Sequence, residues 1–266
     1  MKKPAIITPD PWLGLQALTR ARIALGRAGV SLPTREVLRF GVAHAQARDA
    51  VHQPLDVTRL RAELADAGFA SVAVRSQAVD RGMYLCRPDR GRLLAPESLA
   101  LLVQEGGRLC APAPRLAVVL ADGLSSLATA THALPVLQAL KPQWPELQAA
   151  PLIIASQARV ALGDEIGHAL GAELVVVMIG ERPGLSSPDS LGLYLTARPR
   201  PGLTDAWRNC ISNVRPEGLT YSDAARKLAY LMAGAIALGR TGVDLKDDSD
   251  AAPALTTAAP LRVEPR

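Results

Sequence analysis

The stretch VVVMIGERPGLSSPDSLGLYLTARPR, residues 175–200, decides how the rest of the chain is interpreted. It opens with five apolar residues, enough for one buried strand, and it breaks at Gly180. The residues that follow, Glu181-Arg182-Pro183-Gly184, present a charged pair on a bent loop. Because ligands of open α/β sheets bind beyond the carboxyl ends of the strands, this loop is a candidate ligand site. Taken alone, it is equally compatible with an ordinary surface turn.

The sequence on the amino-terminal side of this stretch alternates between two patterns. Apolar runs at 115–120, 152–155 and 174–179 are separated by helical patterns at 125–140 and 160–170. Strands that alternate with helices of this length predict right-handed βαβ units and a parallel sheet. An apolar segment at 191–196 and an amphipathic helix at 221–238, closed by Gly239, complete the pattern. The predicted fold class for residues 111–246 is α/β, with a Rossmann-like, open, mostly parallel sheet and flanking helices.

The remaining sequence predicts three further regions. Residues 1–11 contain three prolines and predict a flexible arm. Residues 12–110 predict a helix-rich N-terminal region, with helices near 13–27, 34–51, 58–67 and 96–105 and a strand or hairpin near 72–85. Residues 247–266, acidic and then rich in Ala and Pro, predict a disordered tail.

Three polar residues follow predicted parallel strands: Asp122, Ser156 and Glu181. Parallel strands end at one edge of the sheet, so these residues should emerge together, beside helix N-termini that attract phosphate or amide oxygens. The chain has no GxGxxG after a strand and no GxxxxGK[ST]. Dinucleotides and nucleoside triphosphates held in the usual way are therefore not expected.

Composition narrows the function classes. The 266 residues are 48% apolar and only 3% aromatic, with a formal net charge of +5. Scattered arginines without aromatic neighbours do not favour nucleic-acid binding. No run of 18 apolar residues or N-terminal signal core is present, so neither a membrane span nor secretion is predicted. Three cysteines without a CxxC motif indicate a reducing compartment, which predicts the cytoplasm.

No standard catalytic motif stands out. GxSxG and HExxH are absent, and the sequence pairs none of the candidate acids with another. These acids are Asp122, Asp164, Glu165 and Glu181. His44 and His52 lack the spacing of metal ligands, so no metal site is predicted.

Cys210 is the one cysteine considered as a nucleophile, and it would need an activating base. His168 is the histidine considered for that role, and it falls within a predicted helix. A thiol packed against a large apolar ligand is the favoured interpretation of Cys210. His168 also begins an HxxG pattern, but Ile166 stands where a cobalt-coordinating DxHxxG motif has Asp.

Seven stretches, in order, cover most of residues 12–245 in a distinctive combination. They are LTRARIALGRAGVSLPTREVL (18–38), FGVAHAQARDAVH (40–52), VRSQAVDRGMYLCRPDRGRLL (74–94), VVLADGLSSLA (118–128), IIASQARVALGDEIG (153–167), the opening stretch and RNCISNVRPEGLTY (208–221). Together they resemble the small (light) subunit of ethanolamine ammonia-lyase.

The resemblance implies a carbon–nitrogen lyase subunit that is active only with a large subunit. In that family adenosylcobalamin lies between the two chains, and the large subunit binds ethanolamine and carries out the radical conversion to acetaldehyde and ammonia. Cobalamin is bound base-on there, which agrees with Ile166. The resemblance predicts no catalytic residue on this chain, and neither a nucleic acid nor a membrane as a partner.

The cofactor contacts that the resemblance carries over are Val160, Glu181 and Cys210. Val160 would offer a backbone amide and apolar contact at a helix start, Glu181 would accept hydrogen bonds from corrin amides, and Cys210 would pack on the ring or its amides. The arm before residue 12 is shorter than in members that enter a bacterial microcompartment, so encapsulation is an open expectation. Two alternatives also stay open: a self-sufficient α/β enzyme using Asp122 or Glu181 as base, and a cobalamin carrier without a catalytic partner.

Overall fold

Two fully buried strands form the centre of the molecule. The computed structural model describes residues 6–109 and 113–250, without the side chains of 105–109. Within it, β2 (Leu116–Ala121) and β4 (Leu174–Gly180) bury every residue and pair in parallel. Strands covered on both faces read as continuous apolar runs, which is why both could be predicted from the sequence.

The sheet is six-stranded and mixed. The other strands are β1 (Ser71–Arg75), β3 (Leu152–Ser156), β5 (Leu191–Ala197) and β6 (Asn209–Val214), in the order β1-β3-β2-β4-β5-β6. The first four strands in this order are parallel, whereas β5 is antiparallel to both β4 and β6. The α/β class is thus confirmed, and the mostly parallel description is matched only in part. Residues 181–190 connect β4 to β5 and are fewer than the dozen or so that a parallel crossover needs.

Seven helices are described. They are α1 (Thr34–His52), α2 (Val57–Asp66), α3 (Arg81–Cys86), α4 (Pro96–Leu109), α5 (Ser126–Leu140), α6 (Leu162–Ala169) and α7 (Tyr221–Leu238). Alternate residues of β2 face two apolar clusters: Val118 and Leu120 pack with α2, α5 and α7, while Ala117 and Val119 pack with α4 and α6. The sheet is therefore covered by helices on both faces, and its strand ends are left to the loops.

The N-terminal region departs from the sequence expectation in two places. The helix predicted over 13–27 is reduced to a short 3-10 turn, Leu13–Ala17, because no residue of 6–32 is buried and an unpacked helix of this length is marginal. The strand or hairpin predicted near 72–85 is β1 followed by α3. β1 pairs with β3 in the main sheet, and Asp80 caps α3 by accepting a hydrogen bond from the Met83 amide at 2.7 Å.

The two chain ends lie partly outside the described residues. Of the predicted tail, residues 251–266 are outside, while 247–250 return to α7, where Lys227 Nζ lies 2.8 Å from Asp250 Oδ1. Of the predicted arm, residues 1–5 are outside, and Thr8 pairs with Arg27. Cys110 is also outside. Over the described ranges, none of the helices has the length and apolar character required to cross a membrane.

Candidate functional site

The carboxyl ends of β2, β3 and β4 bring three expected residues to one edge of the sheet. Ala121 is in register with Ala155 of β3 and with Ile179 of β4, so Asp122, Ser156 and Glu181 emerge side by side. We call this the strand edge and include in it the loops 157–161 and 181–190. It is the location predicted from the sequence, and α1, α3 and α6 all border it.

Asp122 holds the loops of the strand edge together. Its side chain is 2% exposed, and its carboxylate accepts hydrogen bonds from the amides of Gln157 (2.7 Å) and Ala158 (2.9 Å). Burial raises the pKa of the Asp122 carboxyl, while the two amides and Arg81, 3.7 Å away, favour its charged form. A carboxylate engaged in this way organises the loop and is not free to act as a general base.

A stack of two arginines on a tyrosine lies next to Asp122. The guanidinium carbons of Arg81 and Arg159 lie 4.6 Å and 4.2 Å from the centroid of the Tyr84 ring. The Tyr84 hydroxyl donates to the Ala158 carbonyl, and burial raises the pKa of Tyr84 to about 12. Arg81 also donates to the carbonyls of Val51 (2.6 Å) and Gly123 (2.8 Å). The stack therefore fixes α3 and the end of α1 on the strand edge.

Three buried polar atoms in the strand edge and in α3 next to it have no hydrogen-bond partner among the described residues: Arg81 Nη2, Arg159 Nε and Gln157 Oε1. Elsewhere in the described residues only Ser71 Oγ and Trp144 Nε1 share this property. Leaving such an atom unpaired costs about 1–3 kcal/mol, so a cluster of three calls for a physical reason. Two donors and one acceptor together complement a primary amide, which has an oxygen acceptor and an NH₂ donor.

Val160 lines a cleft next to the strand edge. It occupies the turn before α6, which begins at Leu162, two residues later than expected. The cleft has a volume of about 600 Å³ and is lined by Val160, Arg159, Tyr194 and Leu203, among other residues. Val160 thus presents an apolar side chain to an open cleft.

Tyr194, which the sequence analysis did not single out, links the three predicted contacts. It lines the cleft with Val160, and it pairs with Cys210 across β5 and β6. A Cβ placed on Gly192 would lie 3.1 Å from both Glu181 Oε1 and the Tyr194 ring, so Glu181 and Tyr194 flank this glycine. In the sequence, Tyr194 stands two positions after Gly192, and a glycine within a strand often marks a place where another group approaches closely. This pattern could have pointed to Tyr194.

Glu181 and Cys210 have defined environments. Glu181 Oε2 accepts hydrogen bonds from the Ser190 hydroxyl and from the Asn213 amide (3.4 Å). Cys210 is exposed at the surface, but desolvation by the atoms around its thiol raises the pKa of Cys210, and the charge of Glu181 raises it further, although hydrogen bonding to Tyr194 acts in the opposite direction. At neutral pH the thiol is therefore protonated. His168 lies in the last turn of α6, away from the strand edge, and does not serve it as a base.

The loop that carries Glu181 is anchored at its far end. Asp189 Oδ2 lies 3.2 Å from the Nε2 atom of buried His132, whose Nδ1 is 2.8 Å from the Tyr221 hydroxyl. The Ser125 hydroxyl donates to the Pro188 carbonyl at 2.7 Å. These contacts tie the loop to α5 and α7 and limit how far Glu181 can move.

The other two candidate acids have structural partners. Asp164 forms a buried, bidentate ion pair with Arg208, at 2.5 Å and 2.7 Å, and both side chains are 2% exposed. Glu165 accepts a hydrogen bond from the Leu94 amide at 2.5 Å. The sequence could not pair Asp164 with Arg208, because it gave no indication of β6, the strand that follows this arginine. Asp164 is therefore not available for proton transfer.

The comparisons with known proteins agree with the motifs. The family described as Ethanolamine ammonia-lyase light chain (EutC) matches residues 9–246. The chain is 54% identical to an ethanolamine ammonia-lyase small subunit of Pseudomonas fluorescens, over 94% of this chain and 91% of the relative. Small subunits of Azotobacter vinelandii and Ralstonia nicotianae are each 54% identical too, over 92% and 93% of this chain and 91% and 92% of the relatives. The chain therefore belongs to the ethanolamine ammonia-lyase small-subunit family, and it is a lyase subunit.

Proposed function

We propose that this chain is the small subunit of an adenosylcobalamin-dependent ethanolamine ammonia-lyase. It acts only with a large subunit, which binds ethanolamine and converts it to acetaldehyde and ammonia. The chain covers the cofactor from one side with its strand edge. Family membership and relatives that are named small subunits support this assignment. The cytoplasmic location stays a prediction, as does entry into a bacterial microcompartment.

The residues of the strand edge fit the chemistry of a corrin. The rim of a corrin carries primary amides, and each of these both donates and accepts hydrogen bonds. The unpaired atoms of Arg81, Arg159 and Gln157 offer the complementary donors and acceptor. Leu85 and Leu124 line a second cavity, of about 430 Å³, with Arg159. The clustering of unpaired polar atoms at this edge, beside apolar surface, is the observation that carries the proposal.

Each predicted contact has a role compatible with its surroundings. Val160 provides apolar contact at the cleft, and Glu181 accepts hydrogen bonds from amide NH₂ groups. Cys210 packs as a neutral thiol, since its pKa is raised. When bound, adenosylcobalamin supplies the radical chemistry, and the protein contributes orientation and exclusion of water. No residue of this chain needs to move a proton.

The first alternative, a self-sufficient enzyme, is disfavoured by the state of its candidate bases. Asp122 already accepts two amide hydrogen bonds, and Glu181 is bound to Ser190 and Asn213. The second alternative, a carrier, shares the cofactor site and differs only in having no catalytic partner. Both alternatives can be tested by reconstitution.

Reconstitution separates the proposed function from both alternatives. The chain, the large subunit and their mixture are each supplied with ethanolamine and adenosylcobalamin, and the release of acetaldehyde is measured. We expect turnover only in the mixture. Turnover by the chain alone would establish a self-sufficient enzyme, and no turnover in the mixture, with cobalamin still bound to the chain, would favour a carrier.

The contribution of Glu181 is tested by a binding measurement. Glu181→Ala removes a charged acceptor, so we expect cyanocobalamin to bind the complex about tenfold or more weakly, with the fold unchanged by circular dichroism. Glu146→Ala is the matched control, because Glu146 is half-exposed at the opposite edge of the sheet. Loss of the fold in Glu181→Ala would make this residue structural.

A further inference from the structure

Exposed apolar side chains are concentrated at the start of the chain. In the part of the molecule that the structure describes, more than half of the large exposed apolar side chains lie before residue 43. In the segment 6–32 they are Ile6, Ile7, Trp12, Leu13, Leu15, Leu18, Ile23, Val30 and Leu32, and on α1 they are Val37, Leu38, Phe40 and Val42. A single protein chain rarely leaves so many large apolar side chains of one region in water.

Helix α1 is poorly covered by the other residues that the structure describes. Only Ala43 and Ala50 of its 19 residues are buried. Leu38 and Val42, one turn apart and thus on one face, are 65% and 59% exposed. Since most helices in proteins are stabilised by packing of their apolar face, α1 lacks the partner that its sequence is suited to.

A shallow cavity connects this face to the strand edge. The cavity has a volume of about 700 Å³ and includes Leu38, Val42 and Leu185, with Arg22, Arg35 and Arg39 around them. Leu185 belongs to the loop that carries Glu181, and its carbonyl accepts a hydrogen bond from Arg22 Nη2 at 3.3 Å. At the other end of α1, Val51 lines a cavity with Arg159 and Arg182. Both ends of the helix therefore border the proposed cofactor site.

We propose that this face of α1, with Leu185, is a docking surface for the large subunit. The proposal rests on the proposed function, in which the large subunit meets the strand edge across the cofactor. The docking surface is continuous with that edge, so one partner covers both. The complementary segment is apolar and flanked by carboxylates that pair with Arg22, Arg35 and Arg39.

A second copy of this chain is the less suitable occupant. A two-fold symmetric contact places each surface against itself, so the arginines of the two copies would face one another. Glu36 already contacts Arg35 and Arg39, at 3.0 Å and 3.2 Å, but Arg22 remains an additional positive charge at the surface. The chain as a whole carries a net charge of +5, which adds to the repulsion.

The test measures the affinity of the purified chain for the large subunit by biolayer interferometry. We expect the double variant Leu38→Asp/Val42→Asp to bind at least about 100-fold more weakly than the wild type. The matched control is Leu99→Asp/Val103→Asp, which places the same charges one turn apart on exposed positions of α4. The control should bind within about threefold of the wild type. Arg39→Glu, at a position that is 65% exposed, should bind about tenfold more weakly without affecting the fold.

Three outcomes would overturn the proposal. If both α1 variants bind the large subunit like the wild type, the docking surface lies elsewhere, although the proposed function stands. If light scattering shows a wild-type dimer that Leu38→Asp/Val42→Asp converts to a monomer, a second copy occupies the surface. If the wild-type chain itself does not bind the large subunit, the proposed function fails, and this proposal fails with it.

Discussion

The sheet and residues 6–52 differ in how they bury their apolar side chains. β2 and β4 bury every side chain between two layers of helices, whereas no residue of 6–32 and only two residues of α1 are buried. The sheet is stabilised by its own packing. The N-terminal segment is rich in apolar side chains that stay exposed, as expected of a surface that another chain covers.

The largest expected difference in the free energy of unfolding is between a glycine substitution in the sheet and one in α1. A Cβ on Gly180 would lie 1.9 Å from the Ser125 carbonyl oxygen, whereas a Cβ on Gly41 of α1 would meet nothing within 4 Å. Gly180→Ala should lower the free energy of unfolding by more than about 3 kcal/mol, measured by urea denaturation. Gly41→Ala should raise it by about 0.5–1 kcal/mol, because alanine favours a helix. Equal effects at both positions would show that α1 is packed as tightly as the sheet.

A smaller difference in the free energy of unfolding is expected between the loss of a buried ion pair and the loss of an exposed one. Asp164→Ala leaves Arg208 charged and buried without its main partner, so the free energy of unfolding should fall by about 3–5 kcal/mol. Asp49→Ala removes the exposed pair with Arg48 on α1 and should cost less than about 1 kcal/mol. Urea denaturation of both variants gives the comparison. A similar cost for both would contradict the burial of the Asp164 pair.

The smallest expected effect concerns the pKa of the Cys210 thiol on β6. Because the charge of Glu181 raises the pKa of Cys210, Glu181→Gln should move the pH midpoint of Cys210 alkylation downward. The measurement is the rate of reaction with iodoacetamide in a Cys86→Ser/Cys110→Ser background. Glu146→Gln, at the opposite edge, should leave the midpoint unchanged. An unchanged midpoint in Glu181→Gln would mean that the two groups do not interact.

The sheet and the helices that pack on it could be predicted from the sequence better than the rest of the chain. Three strands and the helices between them followed from apolar periodicity, and so did the common edge of Asp122, Ser156 and Glu181, because strand direction alone determines that edge. β6 was missed because half of its residues, NCISNV, are polar and its position depends on pairing with β5. The helix expected at 13–27 was wrong because none of its residues is buried against residues 6–109 or 113–250.

Within the site, the residues that depend on long-range contacts could not be predicted. Arg81 belongs to α3, whereas Gln157 and Arg159 belong to the loop 157–161, and their unpaired atoms are evident only once α3 packs against the strand edge. Tyr194 acquires its central position from the β5–β6 pairing. The roles of Val160, Glu181 and Cys210 as cofactor contacts stay predictions.

Hydrogen–deuterium exchange of the chain, alone and in complex with the large subunit and cobalamin, tests the central claim most directly. The claim is that one continuous surface, the strand edge with α1, meets the partner and the cofactor. We predict slower exchange in the complex over residues 34–52, 157–161 and 181–190, and unchanged exchange over residues 145–150 at the opposite edge. Protection of 145–150 with no change in 34–52 and 181–190 would contradict the account.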